Sequence, residues 1–246
     1  RRIQIGTWPN FGMTWEKMTN YNVGIDANLW NGLFNVVLEG FYRKRTDILA
    51  TPQQSFPSTF GASISRRNLN SMDDRGIDVE VSHNNKIGDL SYRIKGTFTY
   101  ARSKWIDYEE EEYTTEDEIR IFQNSGKWQN QRIGYVSDGL FRSQEEIDNY
   151  PVDQDQAGNV TLIPGDIKYI DLNDDGVINW ADQKVIGYGT GQPDLNFGLN
   201  LGGTWKGLSL DILFHGGSMF SGYISGLAQV PYNNESTPLE IHWQER

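Results

Sequence analysis

The residues best placed to do chemistry lie between Asp171 and Asp182, in the stretch DLNDDGVINWAD. Side-chain oxygens recur at alternate positions, Asp171, Asn173 and Asp175, and Gly176 follows where a tight loop must turn. Val177 offers a backbone carbonyl, Asn179 a contact through water, and Asp182 a closing carboxylate at the twelfth position. A hard cation takes several oxygens at short range, and such a loop supplies them. The loop departs from the full pattern at its end, where Asp stands in place of the longer, bidentate Glu. Neither flank has the periodicity of an amphipathic helix, so this is an EF-hand-like loop outside an EF-hand domain. Two readings stay open: a structural calcium site, or an Asx-rich turn whose side chains bond only their own backbone.

Other chemistry finds little support. The chain has no cysteine, which removes thiolate metal sites and cysteine nucleophiles, and its histidines (His83, His215, His242) stand far apart. Carboxylates are plentiful, but no spacing singles out the pair a glycosidase needs. The reading is therefore of a non-enzyme. A net charge of -11 argues against a nucleic-acid partner, which requires a basic face. There is no run of about 18 apolar residues for a transmembrane helix, and the opening Arg1-Arg2-Ile3-Gln4 has no apolar signal region.

The elements around the loop read as strands. Tyr21, Val23, Ile25, Ala27 and Leu29 alternate with Asn20, Asn22, Gly24, Asp26 and Asn28. Asn31-Gly32 is a hairpin signal, and Phe34, Val36, Leu38 and Tyr42 return with the same period. Two further hairpins follow, so that the predicted pairs cover about 18–45, 76–104 and 194–216. Long polar connections separate them: 46–73, a second segment with the acidic run Glu109–Glu112, read as solvated, and an extended loop over about 137–191 holding the cation motif. Cation binding is expected to order that loop, whose apolar content is small. No closing strand is predicted after Gly216.

Strands of about ten residues are long enough to cross a bilayer at a tilt. Trp30 and Trp205 flank tight turns, while Tyr42, Tyr100 and Trp105 sit toward the long loops, the placement of two aromatic girdles. The expected fold is all-β: part of a transmembrane antiparallel β-barrel with short periplasmic turns and long extracellular loops, in contact with outer-membrane lipid. The alternative is a soluble, calcium-stabilised β-sandwich carbohydrate-binding module, in which Trp8, Trp128 or Trp180 would stack on sugar rings.

Four stretches carry a resemblance to a family. TWEKMTNYNVGIDANLWNGLFNVVLEGFYRKRTDIL, NLNSMDDRGIDVEV, the pair IGYVSDGLFRSQEEI and PGDIKYIDLNDDGVINWADQKVIG, and PDLNFGLNLGGTWKGLSLDILFHGG resemble, in order, the C-terminal barrel region of SusC/RagA-type TonB-dependent transporters. Met72-Asp73-Asp74-Arg75 departs from the commonest wording. The resemblance implies a Gram-negative outer-membrane location, a barrel of roughly 22 strands around a plug, and import of an oligosaccharide or peptide. It also implies two partners: a SusD-like surface lipoprotein as a lid, and the TonB complex acting through an N-terminal region that has no counterpart here. On this reading the sequence is a fragment of a longer chain covering 1–246 of a barrel wall.

Overall fold

The computed structural model describes residues 7–53, 63–189 and 191–222. In chain order the elements are β1 (Thr7–Trp8), β2 (Lys17–Leu29), β3 (Phe34–Ala50), β4 (Ser63–Ile64), β5 (Arg67–Ile87), β6 (Leu90–Asp107), α1 (Glu116–Ile121), β7 (Gln131–Gly134), β8 (Ser137–Leu140), α2 (Gln144–Asp148), β9 (Ile167–Tyr169), a 3₁₀ turn (Trp180–Asp182), β10 (Lys184–Tyr188), β11 (Leu195–Trp205) and β12 (Leu208–Ser218).

Alternating side chains and tight turns make one antiparallel sheet, in the order β12-β11-β6-β5-β3-β2. The turns are those that twisted strands prefer, with left-handed backbone at the tip. Trp30, Asn31 and Gly32 have φ of 51°, 57° and 88°; Lys206 and Gly207 have 47° and 85°. Register then fixes which residues share a face. One cross-strand row is Ile25, Leu38, Val79, Phe98 and Phe197, and the neighbouring row on the opposite face is Gly24, Glu39, Asp78, Thr99 and Asn196. The first face is apolar yet open: Val23 is 76% exposed, Phe197 51% and Leu210 63%. Among the described residues no second sheet covers it. A β-sandwich buries that face, so the soluble alternative loses its physical basis; a barrel turns it to lipid.

The strands run further than alternation predicts. β3 continues to Ala50 and β5 begins at Arg67, so the connection expected at 46–73 is in large part strand. These extensions mix polar and apolar residues, and Asn70, Ser71, Met72 and Asp73 are buried in them. The expected turn at Asn84–Asp89 is tighter, with β5 reaching Ile87 and Gly88 turning at φ 58°. The expectation of no closing strand concerns a tail whose residues 223–246 lie outside the described ones.

Buried apolar side chains are few and lie mostly off the sheet. Phe141, Ile147, Ile178 and Ala181 belong to the segment between β6 and β11, which therefore has a small core of its own. That corrects the expectation that a cation alone would order it. The segment also concentrates charge: residues 107–194 hold 20 of the 33 Asp and Glu but only 6 of the 22 Lys and Arg.

Candidate functional site

Two features place chemistry: the polar face of the sheet and the cation-like loop above it. On the polar face, side chains bond across strands. Asn22 donates to Glu39 at 2.9 Å, Asn28 to Asn35 at 2.8 Å, and Asn35 to Ser82 at 3.3 Å. Lys95 pairs with Glu80 at 2.8 Å, and the Ser103 hydroxyl donates to Asp74 at 2.5 Å. Such pairs are costly against lipid and stable against water. Near the tight turns this face has a concavity of about 790 Å³, lined in part by Asn31, Asn84, Ser91, Arg93, Thr204 and Asp211. Gly76 leaves room on this side for an aromatic ring. A Cβ on Gly76 would strike the Tyr100 carbonyl and sit 2.6 Å from Cζ of Phe41, whose ring lies over the glycine.

The loop Asp171–Asp182 brings the expected residues together. The Asp171 carboxylate accepts from the backbone N–H of Gly176 (2.7 Å) and of Asp175 (3.3 Å), and Asn173 Oδ1 also accepts from Asp175 N–H (3.2 Å). Asp175 Oδ1 accepts from Val177 N–H at 2.8 Å; its Oδ2 accepts from the side-chain amides of Asn173 (3.0 Å) and Asn179 (3.2 Å). The Asn179 amide also stands 3.3 Å from the Val177 carbonyl. Asp182 is wholly buried and closes the loop, its two oxygens accepting from Leu172 and Asn179 N–H at 2.9 and 2.7 Å. The Val177 N–H, with the amides of Asn173 and Asn179, holds the Asp175 carboxyl below the usual carboxylate range.

A second acidic turn, missed in the sequence, braces this loop. Asp155 gathers the N–H groups of Ala157, Asn159 and Thr161 and the Thr161 hydroxyl, all at 2.7–2.8 Å, and the donors from Thr161 lead in pushing its carboxyl well below the usual range. The two loops join by backbone bonds, Asp153 N–H to Gly176 O at 2.8 Å and Ile178 N–H to Asp153 O at 2.9 Å. The spacing of Asp153, Asp155, Gly158 and Asn159 was the available signal.

The loops are tied to the wall through α1 and one cationic clamp. Thr115 and Glu118 form a capping box at the start of α1, and Arg120 donates to the carbonyls of Ala181 and Gln183 on either side of Asp182. The run Glu109–Glu112, expected to be solvated, is half structural: Glu109 accepts from Gln53 N–H, and Glu110 from the N–H groups of Asn124 and Ser125. At the base, Arg102 pairs with Asp194 at 2.9 Å, both nearly buried, with Trp128 4.4 Å and Tyr188 5.1 Å from its guanidinium. Trp128, a candidate sugar platform in the sandwich alternative, is thus held between Arg102 and Arg75. Trp180 leans on Phe122, 5.3 Å between ring centres.

This architecture has known counterparts. The TonB-dependent receptor SusC of Bacteroides thetaiotaomicron is 27% identical over 172 residues, 65% of this chain and 17% of its own length. The chain resembles a segment of SusC/RagA-type TonB-dependent transporters. The TonB-dependent receptor P26 of Formosa agariphila is 25% identical over 224 residues, 87% of this chain and 21% of its own. The solved RagAB peptide importer in its open-open state matches at TM-score 0.59 and 19% identity, over 85% of this chain and 21% of that one. The RagAB peptide transporter matches at 0.55 and 19%, over 82% and 21%. These two likenesses show the fold: the sheet of this SusC/RagA-like segment is part of a transmembrane antiparallel β-barrel. No family model matches the chain. The chain spans about a fifth of the length of the curated relatives it matches.

Proposed function

We propose that this chain forms part of the wall and extracellular loops of an outer-membrane importer of Gram-negative bacteria, and does no covalent chemistry. The observation that carries the reading is the sheet itself, with one face of apolar side chains in the open and the other knit by polar pairs. Lipid takes the first and an aqueous solute path the second. The cargo is an oligosaccharide or a peptide, drawn in with energy from TonB beneath a SusD-like lipoprotein lid. The test is uptake of labelled oligosaccharides and peptides by cells with and without the gene for the intact protein. Import lost on deletion and restored by the gene supports the reading. An intact protein that stays monodisperse in buffer without detergent overturns it.

We propose that the loop Asp171–Asp182 takes a structural calcium ion held by Asp171, Asn173, Asp175, the Val177 carbonyl and Asp182, with Asn179 through water. Among the described residues no three acidic or histidine side chains stand together as a ready metal cluster, so the ion would draw them in. The support is the spacing of the oxygen donors. Asp175 Oδ2 and the Val177 carbonyl converge on the Asn179 amide, which sits where a cation would draw both oxygens. Asp182 lies wholly buried at the close of the loop. The ion would stiffen an extracellular loop and take no part in transport chemistry. Calcium titration of the intact protein and of its Asp175→Ala variant checks this, and equal binding by both removes the assignment.

A further inference from the structure

The apolar face of the sheet ends abruptly at its extracellular side and gives way to a cationic strip. On β6 the outward residues run from Leu90 to Tyr100, about 33 Å of strand and about 25 Å of height at a barrel tilt of about 40°. That matches the apolar band of an outer-membrane barrel. The next outward row across the sheet is Tyr21, Tyr42, Arg75 and Arg102, and the row above it is Thr19, Lys44, Asp73 and Lys104. Four cations therefore stand on three adjacent strands at one height, with a single acid among them. Asp73 is itself spent: its carboxylate is 2.6 Å from Arg75 and accepts the Tyr42 hydroxyl at 3.3 Å. Arg102 is turned under Trp128 and paired with Asp194. Lys44 is exposed and Lys104 half-buried, and neither has an ion-pair partner among the described residues.

We propose that Lys44 and Lys104, which flank the Asp73–Arg75 pair, form a docking strip for the phosphate groups of a phosphorylated glycolipid in the outer leaflet. The occupant is inferred from three placements. The Lys44 end of the strip is exposed and stands directly above the apolar face, so its ligand is a lipid rather than a solute in the lumen. It lies at the level where apolar side chains give out, which is where headgroups begin. It is basic on a chain whose net charge is -11 and whose adjoining loop segment is strongly acidic, so the sign is local and opposite to its surroundings. The two tyrosines below it, Tyr21 and Tyr42, stack at 6.5 Å between ring centres and fill the boundary between acyl chain and headgroup. The proposal rests on the barrel fold and stands apart from the transport reading.

The test uses the intact protein in phosphatidylcholine nanodiscs doped with lipid A, against nanodiscs doped with dephosphorylated lipid A, with bound glycolipid counted by native mass spectrometry. The wild type is expected to retain the phosphorylated form and release the other. Lys44→Gln with Lys104→Gln lowers retention about fivefold per lysine, roughly 30-fold together, while Lys→Arg at both positions keeps it. Lys86→Gln, at the opposite end of the sheet, changes nothing. Equal retention of the two lipids by the wild type overturns the proposal without recourse to a variant. So does displacement of lipid A by inorganic phosphate at matched phosphate concentration, which would indicate a soluble-anion site.

Discussion

Arg102 offers the sharpest test of how the loop segment is fastened to the wall. Its side chain is 12% exposed and that of Asp194 10%, with 2.9 Å between Nε and Oδ2. Asn130 lies against both, accepting from Arg102 at 3.3 Å and donating to the two Asp194 oxygens at 2.6 and 2.7 Å. Replacing Arg102 by Ala leaves a nearly buried carboxylate with amide partners only, and removing one member of a buried pair costs about 3–5 kcal/mol. The lost faces of Trp128 and Tyr188 add about 0.5–1 kcal/mol each. Asn130 offsets part of this, so about 3 kcal/mol is expected for local opening, or roughly two decades of amide protection. Hydrogen exchange of the intact protein resolves where this falls. Peptides covering 127–130 and 184–188 lose protection, whereas 77–83 and 94–100, held by the sheet ladder, keep theirs. Asp194→Asn is expected to open the same peptides, since the nearly buried Arg102 guanidinium keeps its charge and loses its counter-ion. Unchanged exchange at 127–130 in Arg102→Ala, or an equal loss throughout the sheet, would refute the clamp.

Four other outcomes are expected from the same geometry. Val81→Lys, on the lipid face in mid-sheet, destabilises the barrel by about 2–4 kcal/mol, while Thr97→Lys, on the opposite face beside Glu80, is near neutral; heat-modifiable gel migration compares them. Gly76→Val displaces the Phe41 ring and the Tyr100 carbonyl and costs about 1–3 kcal/mol, read as a lower melting temperature of the detergent-solubilised protein. Burial raises the Glu110 carboxyl, but N–H donors from Ser125 and Asn124 outweigh it and hold the group below its usual range. Its contribution is therefore complete above the unfolded value of about 4.3 and fades as pH falls through the lower folded value; exchange at Asn124 and Ser125, corrected for intrinsic rate, rises over that window. On the proposed calcium reading, chelation raises proteolysis within 171–182, and Asp175→Ala shows the same rise without chelator.

The strand cores were legible because lipid enforces a strict period of two: Val23, Leu38, Val79 and Phe98 face the bilayer, and their neighbours do not. Above the bilayer that pressure vanishes. Residues 46–50 and 67–75 pair through their backbones while polar residues such as Asn70, Ser71 and Asp73 are buried beside Met72, so hydrophobic alternation gives no sign of them; the register shift between Arg45 and Ile48, with Asp47 at φ 59°, hides it further. The cation loop was legible because its partners lie within twelve residues of one another. Arg102 with Asp194, and Arg120 with Ala181, join residues far apart in the chain, and no local period encodes such pairs. The Asp155 turn was local but lacked the regular spacing that marks its neighbour.

The chain leaves the sheet at the top of β6 and returns at β11 side by side with its own point of departure, Ala101 N–H bonding Asp194 O at 2.9 Å. The two ends of the excursion thus form a closed doorway in the wall. The segment beyond the doorway has its own core and its own turns, and the cost of a longer or shorter excursion grows only with the logarithm of its length, about 0.6 kcal/mol per doubling. A lineage could exchange this whole insert, altering what the cell surface meets, while the staves of the barrel stayed in register.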